Sequence, residues 1–293
     1  MIQKFKISVM RALVVAATWY KWLGRREKKI TVCDHTISRP THQFKARSYH
    51  PEGSGPFPLM VFYHGGGFIG FNLNTHDALC RDLCVKTNQV VVSVDYRLAP
   101  EHPFPAGPND CFDALIWARD HAHILGADPE QISLCGDSAG GNLAAVTALR
   151  ARDELPDLVK HQILIYPVTD HYSSELPSYQ QYATGTGLTR ETMIWMWDLY
   201  MNGCTAFAEP GTQQAQVTPL RIANLSGLPP TLILTAELDP LRDDGIFYAN
   251  KLRDQGIAVT HQHFPEQHHG FVGVEGPSEA HQQAIRDIAH WLN

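Results

Sequence analysis

Apolar runs alternating with helical spacing through most of this chain predict an α/β fold with a mostly parallel central sheet, covered by helices on both faces. Three observations carry that expectation. Leu59-Met60-Val61-Phe62-Tyr63 and Gln89-Val90-Val91-Val92-Ser93-Val94-Asp95-Tyr96 are continuous apolar stretches, the signature of strands buried on both sides. Helix formers separate one such run from the next. Finally, Gly136-Asp137-Ser138-Ala139-Gly140 joins a β-compatible run to a helical one, as a tight strand-to-helix turn requires.

Taken in order, residues 1–30 have Lys4 and Lys6, an apolar patch from Ala12 to Tyr20, and a basic end of Lys21, Arg25, Arg26, Lys28 and Lys29. Arg11 interrupts the apolar run and no small-residue cleavage site follows, so a helix packed on the body is favoured over an exported or membrane-associated segment. Phe44 to Tyr49 alternates like an antiparallel edge strand, and Pro51 to Pro56 reads as a turn. Strands are expected at 59–63, 89–96, 131–135, 162–166, 231–235 and 258–264. Helices are expected at 75–86, 110–125, 142–153, 244–255 and 277–292. Residues 169–228 break the rhythm with a Gly-, Pro- and aromatic-rich stretch. It holds one helix over 191–200, with Thr189 as its N-cap. That helix is apolar nearly all round, so it is read as covered on several sides, with Met193, Trp195, Met196 and Trp197 as candidate walls of an apolar substrate pocket.

The 293 residues accommodate one large α/β domain or two ordinary ones, and a single domain over 1–293 is expected. A net charge of -6 argues against an electrostatic footprint for nucleic acid or anionic lipid. Cysteines at 33, 80, 84, 111, 135 and 204 form no Cys-x-x-Cys pair and read as reduced thiols of a cytoplasmic protein. Sixteen histidines include His261-x-His263 and His268-His269, but no spacing nearby completes a zinc site, so no metal is expected.

A serine hydroxyl is a weak nucleophile until a base takes its proton and a third group orients that base. In parallel sheets such groups gather at the carboxyl ends of strands. Ser138 stands at one such end, Glu237 and Asp239 near a second, His268 and His269 near a third. Asp239 is preferred because Pro240 fixes the turn after it, with Glu237 as fallback. His269 is preferred because Gly270 leaves room for backbone beside it, with His268 as alternate. Negative charge developing on an attacked carbonyl needs amide donors. His64-Gly65-Gly66-Gly67 after the strand 59–63, together with Ala139, offers them. A phosphate-binding loop is the competing reading of these glycines, but the Lys-Ser/Thr such a loop needs is missing.

These pieces together resemble the hormone-sensitive-lipase family of α/β-hydrolases, close to its bacterial acetyl-esterase members. The resemblance lies in His64-Gly65-Gly66-Gly67-Phe68, Asp95-Tyr96-Arg97-Leu98-Ala99-Pro100-Glu101, Gly136 to Ala144, Asp239-Pro240-Leu241-Arg242-Asp243 and His269-Gly270-Phe271, in that order across residues 40–292. It implies the α/β-hydrolase fold, with Ser138 as nucleophile, Asp239 as orienting acid and His269 as general base. It also implies Gly66, Gly67 and Ala139 as oxyanion donors, with Gly65 shaping the same oxyanion-hole loop, and Tyr96 to Phe104 bracing it. A cap would be formed by about residues 1–39 and 169–228.

The function expected is a serine carboxylesterase acting on small neutral esters of short acyl groups through an acyl-enzyme, without a cofactor. An amidase, lactonase or deacetylase would use the same three residues, and a non-catalytic small-molecule-binding relative is the remaining alternative. The expected partner is a small ester, with no nucleic acid and no stable membrane insertion. Assembly into a homo-oligomer is compatible with every feature above.

Overall fold

The structure, a computed structural model, describes residues 2–23, 30–185, 187–203 and 217–293, with side chains from Ile7 onward. Arg25, Arg26, Lys28, Lys29 and Cys204 lie outside the described residues. Helix α1 (Ile2–Lys21) precedes the strands β1 (Thr31–Ser38), β2 (Gln43–His50) and β3 (Phe57–Tyr63). Strand and helix then alternate: α2 (Asp77–Thr87), β4 (Val90–Asp95), α3 (Ala106–Asp120), β5 (Ala127–Asp137), α4 (Ala139–Glu154) and β6 (Val159–Ile165). Two helices follow, α5 (Pro177–Gln181) and α6 (Arg190–Met201), before β7 (Thr231–Leu238), α7 (Arg242–Asp254), β8 (Val259–His268) and α8 (Glu279–Leu292).

The eight strands form one sheet in the order β1-β2-β4-β3-β5-β6-β7-β8. From β4 to β8 every pairing is parallel, and the two pairings made by β2 are antiparallel. Because side chains alternate along a strand, the continuous apolar runs serve two cores at once. Val61, Tyr63, Leu134, Leu164 and Ile233 face one, together with Phe112 and Leu115 of α3, Leu143 of α4 and Leu252 of α7. Met60, Phe62, Cys135, Ile163, Leu232 and Leu234 face the other, with Leu79 and Leu83 of α2 and Ile285 and Ile288 of α8.

Several boundaries differ from the expectation for identifiable reasons. Thr31–Ser38, assigned to the cap from sequence, is the outermost strand of the sheet, so Phe44 to Tyr49 lies one strand in from the edge. Ile37 is the one fully buried residue of β1, so the strand shows no apolar alternation. Helix α3 stops at Asp120 and hydrogen-bonded turns carry the chain to Gly126, where His121 donates its amide to Trp117 and Leu125 donates to His121. The Thr189 side chain caps α6, accepting the Thr192 amide at 3.2 Å. Ser278 caps α8, accepting from His281 at 3.0 Å.

Candidate active site

Strand β5 ends at Asp137 and α4 begins at Ala139, so the whole reversal falls on Ser138. Its φ of 56° and ψ of -119° lie where non-glycine residues rarely sit, a strain of about 1–3 kcal/mol that surrounding bonds must hold. The Ser138 amide donates to Ile165 O at 2.8 Å, and its carbonyl accepts from Asn142 at 3.1 Å and Val168 at 3.3 Å. Gly136 and Gly140 permit the turn: a Cβ on Gly136 would overlap the Gly140 carbonyl, and one on Gly140 would overlap the Tyr63 carbonyl.

Three side chains from different strand ends meet here. Ser138 Oγ lies 2.8 Å from His269 Nε2, and His269 Nδ1 lies 2.7 Å from Asp239 Oδ2. Asp239 is fully buried, and its other oxygen accepts the Leu241 amide at 2.8 Å, so the carboxylate cannot swing away. The Tyr166 ring rests 4.8 Å from the imidazole. Burial pulls the His269 pKa down, but the charge and hydrogen bond of Asp239 outweigh it, and the net shift is upward from the ordinary 6.5. A hydroxyl, an imidazole and a buried carboxylate in this line can pass a proton from the hydroxyl to the ring and stabilise the charged ring.

The loop after β3 approaches the same turn. Gly65 donates its amide to Asp137 Oδ1 at 2.8 Å, and a Cβ at Gly65 would stand 2.5 Å from Asp137 Oδ2. Gly65, named from sequence as the residue of the oxyanion-hole loop that shapes it, therefore has its N–H already engaged by Asp137. Gly66 and Gly67 follow with φ of 105° and 59°. The Gly66 carbonyl accepts from Ile69 and Gly70. Tyr96 braces the loop from beneath, its hydroxyl donating to His64 O at 2.8 Å and its ring stacked at 4.4 Å on the His64 imidazole. Burial holds that imidazole down to about 3, so it stays neutral.

Two residues here went unassigned in the sequence. Asp137 is wholly buried and ionised: burial pushes its pKa up, but His76, with Nε2 3.1 Å from Oδ1, and the Gly65 amide bring it below the usual carboxylate range. The signal available was an acidic residue inside an apolar strand-turn-helix run, which is costly unless something pairs with it. His76 carried no signal of its own.

Of the four candidate pocket residues, Met196 reaches the loop: a Cβ on Gly67 would overlap its sulfur. Met193 and Trp197 are core residues, 3% and 2% exposed, with Trp197 packed 5.4 Å from Phe68 and 5.2 Å from His171. Trp195 is partly buried against the same cluster. The fallback acid Glu237 turns away to Arg242 at 2.8 Å and His263 at 2.9 Å. The alternate His268 is the last residue of β8, opposite Leu238. His261 and His263 both contact the Thr235 hydroxyl, at 2.8 Å and 3.0 Å. Among the described residues no three His, Cys, Asp or Glu side chains converge as a metal site would need.

Fold and site together define a protein of the α/β-hydrolase class. Residues 60–273 match the family model described as alpha/beta hydrolase fold. The chain belongs to the hormone-sensitive-lipase-like α/β-hydrolase family. It is 41% identical over 84% of its length to the carboxylic ester hydrolase LipN of Mycobacterium tuberculosis, of which the match spans 65%. It is 38% identical to the esterase LipI of the same organism, over 87% of this chain and 79% of that one. Among solved structures it is similar to an esterase of Pyrobaculum calidifontis, with a TM-score of 0.90 and 38% identity over 98% of this chain and 92% of that one.

Proposed function

We propose that this chain is a serine-dependent carboxylic ester hydrolase. The observation that carries the reading is the hydrogen-bonded line from Ser138 through His269 to Asp239, with the serine on a strained turn. In the proposed reaction Ser138 Oγ bonds to the acyl carbon while its proton passes to His269 Nε2. Collapse of the tetrahedral intermediate breaks the bond to the alcohol oxygen, which leaves with that proton. A water then attacks the acyl-enzyme, giving its proton to His269, and the second collapse returns the proton to Ser138 and frees the acid. Asp239 keeps Nδ1 protonated and offsets the ring's positive charge. The amides of Gly66, Gly67 and Ala139 are assigned to the oxyanion, each worth about 3–4 kcal/mol on the barrier.

A short acyl group on a small neutral ester is the proposed substrate class, supported by Met196 packed directly on the oxyanion loop. We assign the cap to α1 and the α5–α6 region. A cytoplasmic location is supported by Cys33, Cys80, Cys84, Cys111 and Cys135, all free thiols. The test is turnover of p-nitrophenyl acetate, butyrate and laurate by the wild type and Ser138→Ala. Acetate and butyrate should be cleaved well ahead of laurate, and all three should be lost in the variant. Equal rates in the two proteins would remove the assignment.

A further inference from the structure

Helix α1 has two apolar faces, and the body covers one of them. Ile7, Thr18 and Trp22 are buried against the protein. On the opposite side Val9, Leu13, Ala16, Tyr20 and Leu23 recur at i, i+4, i+7, i+11 and i+14, a single stripe along the helix and its last turn. Val9 is 42%, Leu13 65%, Tyr20 75% and Leu23 55% exposed, and Trp19 flanks the stripe at 52%. Elsewhere among the described residues the exposed large apolar side chains are Ile124 and the less exposed Phe247, each standing apart in sequence. A groove of about 430 Å³ beside the stripe is lined by Ala12, Val15, Ala16, Trp19 and Asn74.

The charge of this segment is as unusual as its surface. Residues 1–30 carry eight Lys and Arg against one Glu, while the other 263 carry sixteen against twenty-nine. The whole-chain charge of -6 therefore conceals a strongly basic N-terminal segment in an otherwise acidic sequence, and for that segment it does not disfavour an anionic lipid surface. Among the described residues no helix is long and apolar enough to cross a membrane. An apolar stripe with an aromatic pair near its end, set in a basic segment, suits a helix lying in the plane of a bilayer.

We propose that the outer face of α1 docks this protein on an anionic phospholipid surface. The helix is pinned to the oxyanion loop: Arg11 Nε donates to Ile69 O at 2.7 Å, and a Cβ on Gly70 would lie 3.9 Å from Met10. Docking by this face sets the loop close to the bilayer, where esters partition. That consequence rests on the hydrolase reading; the docking itself does not.

The test is co-sedimentation of the full chain with phosphatidylglycerol/phosphatidylcholine vesicles and with phosphatidylcholine alone, with p-nitrophenyl acetate turnover measured in parallel. Binding should be at least about tenfold stronger to the anionic vesicles and should fall with added salt. Leu13→Glu/Tyr20→Glu, both exposed positions, should weaken it about tenfold or more and leave acetate turnover unchanged. No vesicle binding by the wild type, or equal binding by the double variant, overturns the proposal. So does a wild-type dimer in light scattering that the double variant converts to monomer without any vesicle binding, since the stripe would then cover a second copy. A chain that binds vesicles and cleaves nothing would instead overturn the hydrolase reading alone.

Discussion

Asp137 holds Gly65 by its amide at 2.8 Å across 72 positions of sequence, so the residue preceding Ser138 also sets the loop after β3. One buried carboxylate thereby ties the Ser138 turn to the loop assigned to the oxyanion, and His76 Nε2 stands 3.1 Å from the same carboxylate oxygen.

Asp137→Ala should leave the buried Gly65 amide without a partner, costing about 1–3 kcal/mol of stability. It should also lower kcat more than it raises KM, because a displaced loop loses the transition-state oxyanion more than the ground-state ester. Thermal melts and ester kinetics on the same preparation check both. A melting loss with unchanged kcat would make Asp137 purely structural.

The acid limb of activity should have its midpoint above pH 6.5, because hydrolysis needs the neutral imidazole and the Asp239 carboxylate holds the His269 pKa up. Activity is then present above that pKa and lost as pH falls through it. Asp239→Asn should move the limb to lower pH and reduce kcat by about 10³–10⁴-fold. The check is a kcat/KM profile from pH 5 to 9 for both proteins.

Asp244 is fully buried, with Oδ1 accepting the amides of Thr169 at 2.7 Å and Asp170 at 2.8 Å. Burial pushes its carboxyl up to about 8. The folded protein therefore keeps a proton that the unfolded chain releases near pH 4, and stability should decline as pH rises between those values. Asp244→Asn retains the acceptor without the charge, so its melting temperature should change less between pH 5 and 8 than that of the wild type. Calorimetry at the two pH values decides it; identical slopes would contradict the linkage.

Arg11 fastens α1 by donating to Ile69 O at 2.7 Å and Ala99 O at 2.8 Å, with Glu101 at 2.9 Å on the outside. The two carbonyl bonds should dominate, since the partly exposed ion pair is worth little. Arg11→Ala should cost about 1–2 kcal/mol, and Arg11→Lys should not recover it, because one ammonium cannot replace the planar fork. Denaturant melts of the three proteins measure this.

The parallel core of the sheet was legible because β3, β4 and β5 are apolar on both faces, which a short strand needs only when helices cover it on either side. That Ser138, Asp239 and His269 would be brought together was legible because each stands near residues that punctuate the backbone: Gly136 and Gly140, Pro240, Gly270. Strand β1 was not legible, since Ile37 alone marks its buried side. The engagement of Gly65 was hidden because it depends on a partner far away in sequence. The split roles of Met193, Met196 and Trp197 were hidden because all three lie on one apolar helix, and only packing decides which of its faces meets the loop.

The most direct measurement is labelling of the full chain with a fluorophosphonate, followed by peptide mapping of the adduct. A single phosphonylated residue at Ser138, absent in Ser138→Ala and slowed in Asp239→Asn, is the expected result. An unlabelled chain that still hydrolyses p-nitrophenyl acetate, or an adduct on another residue, would contradict the account.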